Sequence, residues 1–307
     1  MTDFAITPVY DVLLRGREDV PFGLYHLHVL TAEQLTRLYY SPNSLKAVQK
    51  RLRTLIQANY LQVDATPVKH LLPDHKVHYS PHYYYTLGLA GVRYLRSIGY
   101  DVHDAWRASK EVNKHSIHLT HLFELNDVLI SAIHLSQADS RYRLERLIHE
   151  REFKQEPFEF TANIRGRNHK LVLSPDAFLE FRLTRSDGRE RIMPLFIEYD
   201  RDTEREHAFR QKVRKYIALF QTGAHKGRLG VSTVKVAITT LASRKHLDEL
   251  RRWTEAELAS TNEPIEVGEL FVFAYWPDPP DPRAAWLDPC WQLAYATASQ
   301  AYPLLAA

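Results

Sequence analysis

One cysteine, Cys290, occurs in 307 residues, which excludes an internal disulfide and any zinc site built from several thiolates. That usage fits a reducing cytoplasm, the location expected for this chain. No apolar run approaches the roughly 18 residues that a membrane helix needs, so no membrane span is expected. The opening MTDFAITPVYDVLLRGRED has no basic segment followed by an apolar core and is not read as a secretory signal. A strong net charge is missing too. The chain carries 40 Lys and Arg against 37 Asp and Glu, formally +3 with His neutral, too little to argue for nucleic acid by itself. The distribution says more. Residues 1–110 hold 13 Lys and Arg against 9 Asp and Glu, whereas the remainder holds 27 against 28. The positive excess therefore lies in the first third.

What is present is an ordinary globular composition, 45% hydrophobic and 25% charged, at a length that suggests about two domains. At LTAEQL (30–35), Thr31 and Gln34 have the spacing of a capping box, with Leu30 and Leu35 placed as a hydrophobic staple. A short helix to about Leu38 should follow. In SPNSLKAVQKRLRTLIQANYLQV, Leu45, Val48, Leu52 and Leu55 recur on one helical stripe behind Ser44, the expected N-cap. Lys46, Gln49, Lys50 and Arg53 occupy the outer faces, where basic and amide side chains suit phosphate anchoring and base-edge readout. NYLQVD and KVHYSPHYYYTL read as strands. Between them ATPVKHLLPDH is a loop long enough to be a wing, and Lys76 just beyond it joins the expected DNA contacts. GLAGVRYLRSIG (88–99) closes the unit with an amphipathic helix.

This order resembles a winged helix-turn-helix over residues 1–110, with double-stranded DNA as its expected partner. The alternative is a small helical domain whose lysines are merely solvated. Winged-helix readers often bind two half-sites, which makes a homodimer a second partner to test. His75, His78 and His82 have only Asp74 as a neighbouring carboxylate, so they are read as solvated or phosphate-touching. His115, His118 and His121 recur about one turn apart on a linking helix over 111–140 with Leu122, Leu125, Leu129 and Ile133. They are read as packing histidines.

From about residue 142 the pattern changes to strands with connecting helices, an α/β domain over 141–307. Here FIEYDRDTE (196–204) raises a sharper question. Met193, Leu195, Phe196 and Ile197 read as a buried strand, yet Glu198, Asp200, Asp202 and Glu204 follow within seven positions. Acids packed so closely repel unless a cation or a basic partner sits among them. KLVLSPDAFLEFRL and RIMPLFIEYD flank Asp187-Gly188, a strong hairpin signal. A turn centred there sets Asp176 opposite Tyr199 and draws Asp176, Glu198 and Asp200 to one end of the hairpin. Strict alternation would put Glu198 and Asp200 on the other face, so a bulge at Pro194 is expected to reunite them. The next segment, RDTEREHAFRQKVRKYIALF, is helical, with Phe209, Val213, Ile217 and Phe220 as its core stripe and Tyr216 beside them. Arg205 and Lys212 share one flank of that stripe. Lys212, packed near the acidic strand end, could neutralise charge or activate water.

SPDAFLEF, LFIEYDRDTE and FRQKVRKY together resemble the replication-relaxation family of plasmids and other mobile elements. YYYTLGLAGVRYL and LTHLFELNDV extend the likeness over most of the chain to about residue 245. The resemblance implies an α+β protein, an N-terminal winged helix joined to a PD-(D/E)xK, restriction-endonuclease-like domain with a mixed central sheet. It implies a metal-dependent DNA endonuclease or nickase using Mg²⁺ or Mn²⁺, with replication or relaxase machinery as further partners. Asp176 and Glu198 match the metal-binding acids. The motif lysine should fall at position 200, where this sequence has Asp200. Either Lys212 supplies the amine from the helix or Asp200 is a further metal ligand. Glu152, in HEREF, matches the acid of the fold's early helix. The alternative is a noncatalytic DNA-binding accessory factor or regulator whose acids make salt bridges with Arg201, Arg205 and Lys212. An adaptor acting without DNA would leave the basic helix unexplained.

Overall fold

The structure is a computed structural model that describes residues 20–71, 77–103, 106, 116–164, 166–202, 204–241, 243–261, 263–276, 279–295 and 300–306. It is a mixed α+β chain with a large mixed sheet, and it divides into two units, Asp11–Ile130 and Ser131–Ala307. Among the described residues no helix is long and apolar enough to cross a membrane.

In the first unit, α1 (Val20–Leu27) leads through β1 (Leu30–Thr31) to α2 (Ala32–Tyr39). The capping box forms: the Thr31 hydroxyl accepts the Gln34 N–H at 3.2 Å, and Gln34 Oε1 accepts the Thr31 N–H at 3.1 Å. The same Gln34 donates from Nε2 to Phe123 O at 2.7 Å and to Asp127 Oδ1 at 2.8 Å. A residue that starts α2 thus also fastens it to the long helix α5 (Ser116–Ala138), where Arg37 pairs with Asp127 as well. Asn126, fully buried on α5, donates to Leu27 O at 3.1 Å and Val29 O at 2.7 Å. It thereby ties α5 to the end of α1 and to the residue before β1.

A 3₁₀ turn at Pro42–Ser44 precedes α3 (Leu45–Gln57). Ser44 stands at the N-cap, but its hydroxyl donates back to Ser41 O at 2.5 Å instead of capping α3. Val48 and Leu52 are buried, while Leu45 and Leu55 are half-buried at the stripe's margins. β2 (Leu61–Leu71) and β3 (Val77–Leu87) pair antiparallel from Leu61–Leu87 to Leu71–Val77, and β1 joins β3 on its other side. The expected loop from Ala65 is therefore strand as far as Leu71, because an antiparallel partner lies opposite every one of those residues. Lys76, Asp74 and His75 lie outside the described residues, as does His115. The His82 ring lies 5.3 Å from that of Phe123. α4 (Leu89–Ser97) closes this part.

In the second unit, β4 (Tyr142–His149), α6 (Glu150–Gln155), β5 (Phe158–Ile164), β6 (Arg167–Leu173), β7 (Ala177–Thr184) and β8 (Glu190–Tyr199) lead to α7 (Glu206–Thr222). Then come α8 (Ala224–Leu229), β9 (Lys235–Thr240), α9 (Arg244–Ser260), α10 (Ile265–Gly268), β10 (Phe271–Tyr275), α11 (Pro282–Leu287), β11 (Trp291–Leu293) and β12 (Ala301–Tyr302). The seven-stranded sheet has the order β12-β11-β10-β9-β8-β7-β4, with β8, β9 and β10 parallel and the other pairs antiparallel. Central β8 is buried on both faces, which explains why it reads as a continuous apolar run. One face aligns Phe178, Phe196, Val236, Phe271 and Phe273 across four strands, under Phe209, Val213 and Tyr216 of α7 and Leu247 and Leu250 of α9. Glu257 of α9, with no exposed side-chain surface, accepts from Arg210 at 3.1 Å and Arg214 at 2.7 Å and so clamps α9 to α7.

Two helical glycines should respond oppositely to alanine. A Cβ on Gly91 would stand 2.3 Å from Tyr60 O, whereas one on Gly227 meets nothing within 4 Å. Alanine gains about 1 kcal/mol of helix propensity over glycine, but a backbone carbonyl cannot yield as a side chain can. Urea denaturation should find Gly91→Ala destabilised by about 1–3 kcal/mol and Gly227→Ala stabilised by up to about 1 kcal/mol.

Candidate active site

β7 and β8 are joined through Ser186, Asp187 and Gly188. Gly188 takes φ +79°, Arg185 N–H donates to Arg189 O at 2.9 Å, and Gly188 N–H donates to Arg185 O at 2.9 Å. This is a three-residue connection ending in the left-handed region, not the two-residue turn expected at Asp187-Gly188. The extra residue shifts the register by one, so Ala177 faces Ile197 and Thr184 faces Glu190. The pairs run without interruption past Pro194, opposite Glu180, and the expected bulge is absent. One step beyond the last pair, the same register sets Asp176 opposite Glu198 instead of Tyr199. Opposed residues share a face, so the hairpin unites these two acids without distortion. Asp176 Oδ2 accepts the Tyr199 N–H at 2.9 Å, which turns its carboxylate over the end of β8.

Glu198 follows Phe196 on the face covered by α7, and only 3% of its surface is exposed. Lys212 and Tyr216, one turn apart on α7, both reach it. Lys212 Nζ donates to Glu198 Oε2 at 2.8 Å and to Glu204 Oε1 at 2.6 Å, and Tyr216 OH donates to Glu198 Oε1. Burial pushes the Glu198 carboxyl up to about 8; the Asp176 charge adds to this and the Lys212 ammonium opposes it. Burial alone would lower Lys212, but Glu198, Asp176 and Glu204 together hold its ammonium well above its usual value. Burial and the Glu198 charge likewise hold the Tyr216 phenol well above its ordinary range, so it stays a donor. Lys212 thus pairs with Glu198 and Glu204 and also feels the charge of Asp176.

Glu152 Oε1 accepts the His149 N–H at 3.3 Å as the third residue of a capping box on α6. Glu150, two residues earlier, is buried, pairs with Lys154 at 2.8 Å, and places a carboxylate oxygen within 4.8 Å of one on Asp176. Asp200 takes a separate direction. Its Oδ2 lies 2.9 Å from His246 Nε2 of α9, and its N–H donates to Thr239 O at 3.0 Å. Glu150, Glu204, Tyr216 and His246 join these clusters without being assigned from the sequence. Tyr216 is legible as the residue one turn beyond Lys212, and Glu150 as the only other acid in HEREF. His246 lies 46 positions from Asp200, beyond any local pattern.

In the first unit, Lys46, Lys50 and Arg53 are exposed along α3 and Gln49 is half-buried between them. Spaced four and three residues apart, the three cations lie on one side of the helix.

No curated protein and no solved structure matches this chain. Residues 23–234 match the family model described as replication-relaxation, a span that takes in both α3 and the Asp176–Tyr216 cluster. The chain therefore belongs to the replication-relaxation family, which points to a role in plasmid or mobile-element replication or relaxation.

Proposed function

We propose that the protein binds duplex DNA through a winged helix containing α3 and cuts or nicks it with a PD-(D/E)xK-type site that uses Mg²⁺ or Mn²⁺. The observation that carries this reading is the direct contact between Lys212 and Glu198, on the strand end where Asp176 turns in. It puts a motif-type amine at the acids although position 200 holds Asp200. Asp176 and Glu198, with Glu150 near Asp176, supply the carboxylate oxygens that a hard divalent cation prefers. A cation there would favour the charged form of Glu198, whose carboxyl burial pushes up. A bound cation would polarise the scissile phosphate and lower the pKa of an attacking water.

The chain's own residues divide the remaining work. Held well above its usual pKa, Lys212 keeps its proton at neutral pH. Its role is therefore to donate a hydrogen bond to a phosphate oxygen or the nucleophile and stabilise developing negative charge, not to accept a proton. Tyr216 fixes the rotamer of Glu198 from the other oxygen. Exposed Lys46, Lys50 and Arg53 anchor phosphates, and Gln49 between them is placed for a base edge.

One observation favours a second reading, a noncatalytic DNA-binding regulator on the same scaffold. Both Glu198 oxygens already have donors, and in that reading the ion pair serves only as a structural tie. Cleavage assays separate the two. Supercoiled plasmid should be nicked or linearised in Mg²⁺ or Mn²⁺, and Asp176→Asn or Glu198→Gln should abolish this while DNA affinity persists. Lys212→Ala should lower the rate at least about a hundredfold, as loss of an oxyanion-type donor does. A wild-type protein that binds DNA yet leaves it intact in both metals contradicts the enzyme reading.

Binding itself has its own test. Replacing Lys50 and Arg53 together by Ala should weaken affinity across unrelated sequences. For every phosphate no longer neutralised, the slope of log K against log salt should become shallower by about 0.9. An unchanged slope would remove α3 from the interface.

A further inference from the structure

Beyond the cluster on β8, a second group of ligand atoms gathers where the chain leaves the sheet. After Asp200 the backbone turns at Asp202, which takes φ +63°, a left-handed conformation that Asp tolerates. Its side chain is 64% exposed. Opposite stands the first turn of α9, where the Ser243 hydroxyl accepts the His246 N–H at 3.0 Å. His246 and Glu249 follow one turn apart on that helix.

The His246 ring is 2% exposed, and its two nitrogens face different surroundings. Nε2 makes a hydrogen bond to the buried Asp200 Oδ2 at 2.9 Å. A carboxylate oxygen accepts, so Nε2 carries a proton, and in the neutral tautomer that this fixes Nδ1 is the nitrogen with the lone pair. Nδ1 is buried and makes no hydrogen bond. Asp202 Oδ1 stands 3.0 Å from it and Glu249 Oε2 3.7 Å from it, neither aligned for a hydrogen bond. One ring nitrogen and two carboxylate oxygens thus converge. With the ring neutral, that arrangement is repulsive unless a cation occupies its centre.

The spacing agrees. Ligands about 2.1 Å from a tetrahedral ion stand ~3.4 Å apart, a figure the two Nδ1 distances bracket, and all three ligand atoms lie within 4.8 Å of one another. A histidine that ligates a metal commonly donates its other N–H to a carboxylate, which fixes tautomer and orientation. Asp200 stands in that position.

We propose that His246 Nδ1, Asp202 and Glu249 form a binding site for a divalent first-row transition metal such as Zn²⁺, oriented by Asp200. Imidazole ligation selects such a metal over Mg²⁺. Asp176, Glu198 and Lys212 contribute nothing to this site, which is independent of the nuclease reading. It gives the acid at position 200 a use as the support of a metal-binding histidine. It also ties the turn that precedes Glu204, a partner of Lys212, to α9.

The test uses tag-free, full-length protein carrying Asp176→Asn and Glu198→Gln, so that cations cannot be held at the other cluster. Isothermal titration with ZnCl₂ should find one equivalent bound, and MgCl₂ at least tenfold more weakly. Adding Asp202→Asn or Glu249→Gln should weaken Zn²⁺ binding at least tenfold; both side chains reach solvent, and circular dichroism checks that the fold survives. In imidazole ¹⁵N spectra, one Nδ1 resonance should move on Zn²⁺ addition while its Nε2–H remains. Absence of Zn²⁺ binding to the folded protein, affinity indifferent to both substitutions, or no imidazole shift each overturns the proposal.

Discussion

The buried carboxylate of Glu198 is the constraint around which the second unit is organised. A charge of this kind, 3% exposed in the middle of a sheet, is tolerated only when donors reach both oxygens. α7 provides them from Lys212 and Tyr216, one turn apart, so the helix must lie across β8 with a fixed rotation and height. The aromatic face beneath it follows from that placement: Tyr216 also packs its ring 5.6 Å from Phe196, which meets Phe178 at 5.7 Å. An apolar residue at 198 would fill the space at less electrostatic cost.

The strand end distributes its acids between two neighbourhoods. Asp176 and Glu198 share the space below Lys212, while Asp200 belongs to His246 and α9. The turn between β8 and α7 links them, since Asp202 faces His246 and Glu204 holds Lys212. Four acids within seven positions are thereby sorted by the elements they meet, and each finds a basic or imidazole neighbour. Their mutual repulsion is relieved by geometry that the linear sequence does not display.

Features governed by nearest neighbours are legible in the sequence. The Thr31–Gln34 capping box, the α7 stripe from Phe209 to Ile217 and the β7–β8 hairpin each depend on spacing within one or two turns. Asp187-Gly188 signals the hairpin correctly but not its loop length, and one residue of difference decides which residue faces Asp176. The capping role of Glu152 on α6 is of the same kind, set by its spacing from His149. Strands β11 and β12 are not legible because three and two residues are too few for alternation to register. The Asp200–His246 contact is invisible for a different reason: it joins a strand end to a helix through a parallel crossover, and no local rule spans that distance.

The acids around Glu198 are proposed to hold a divalent cation in addition to Lys212, and anomalous diffraction from crystals soaked in MnCl₂ tests that proposal. A manganese peak is expected within coordinating distance, about 2.2 Å, of both Asp176 and Glu198, with Lys212 still beside the site. No peak there at saturating Mn²⁺, with both Glu198 oxygens still held by Lys212 and Tyr216, would contradict it.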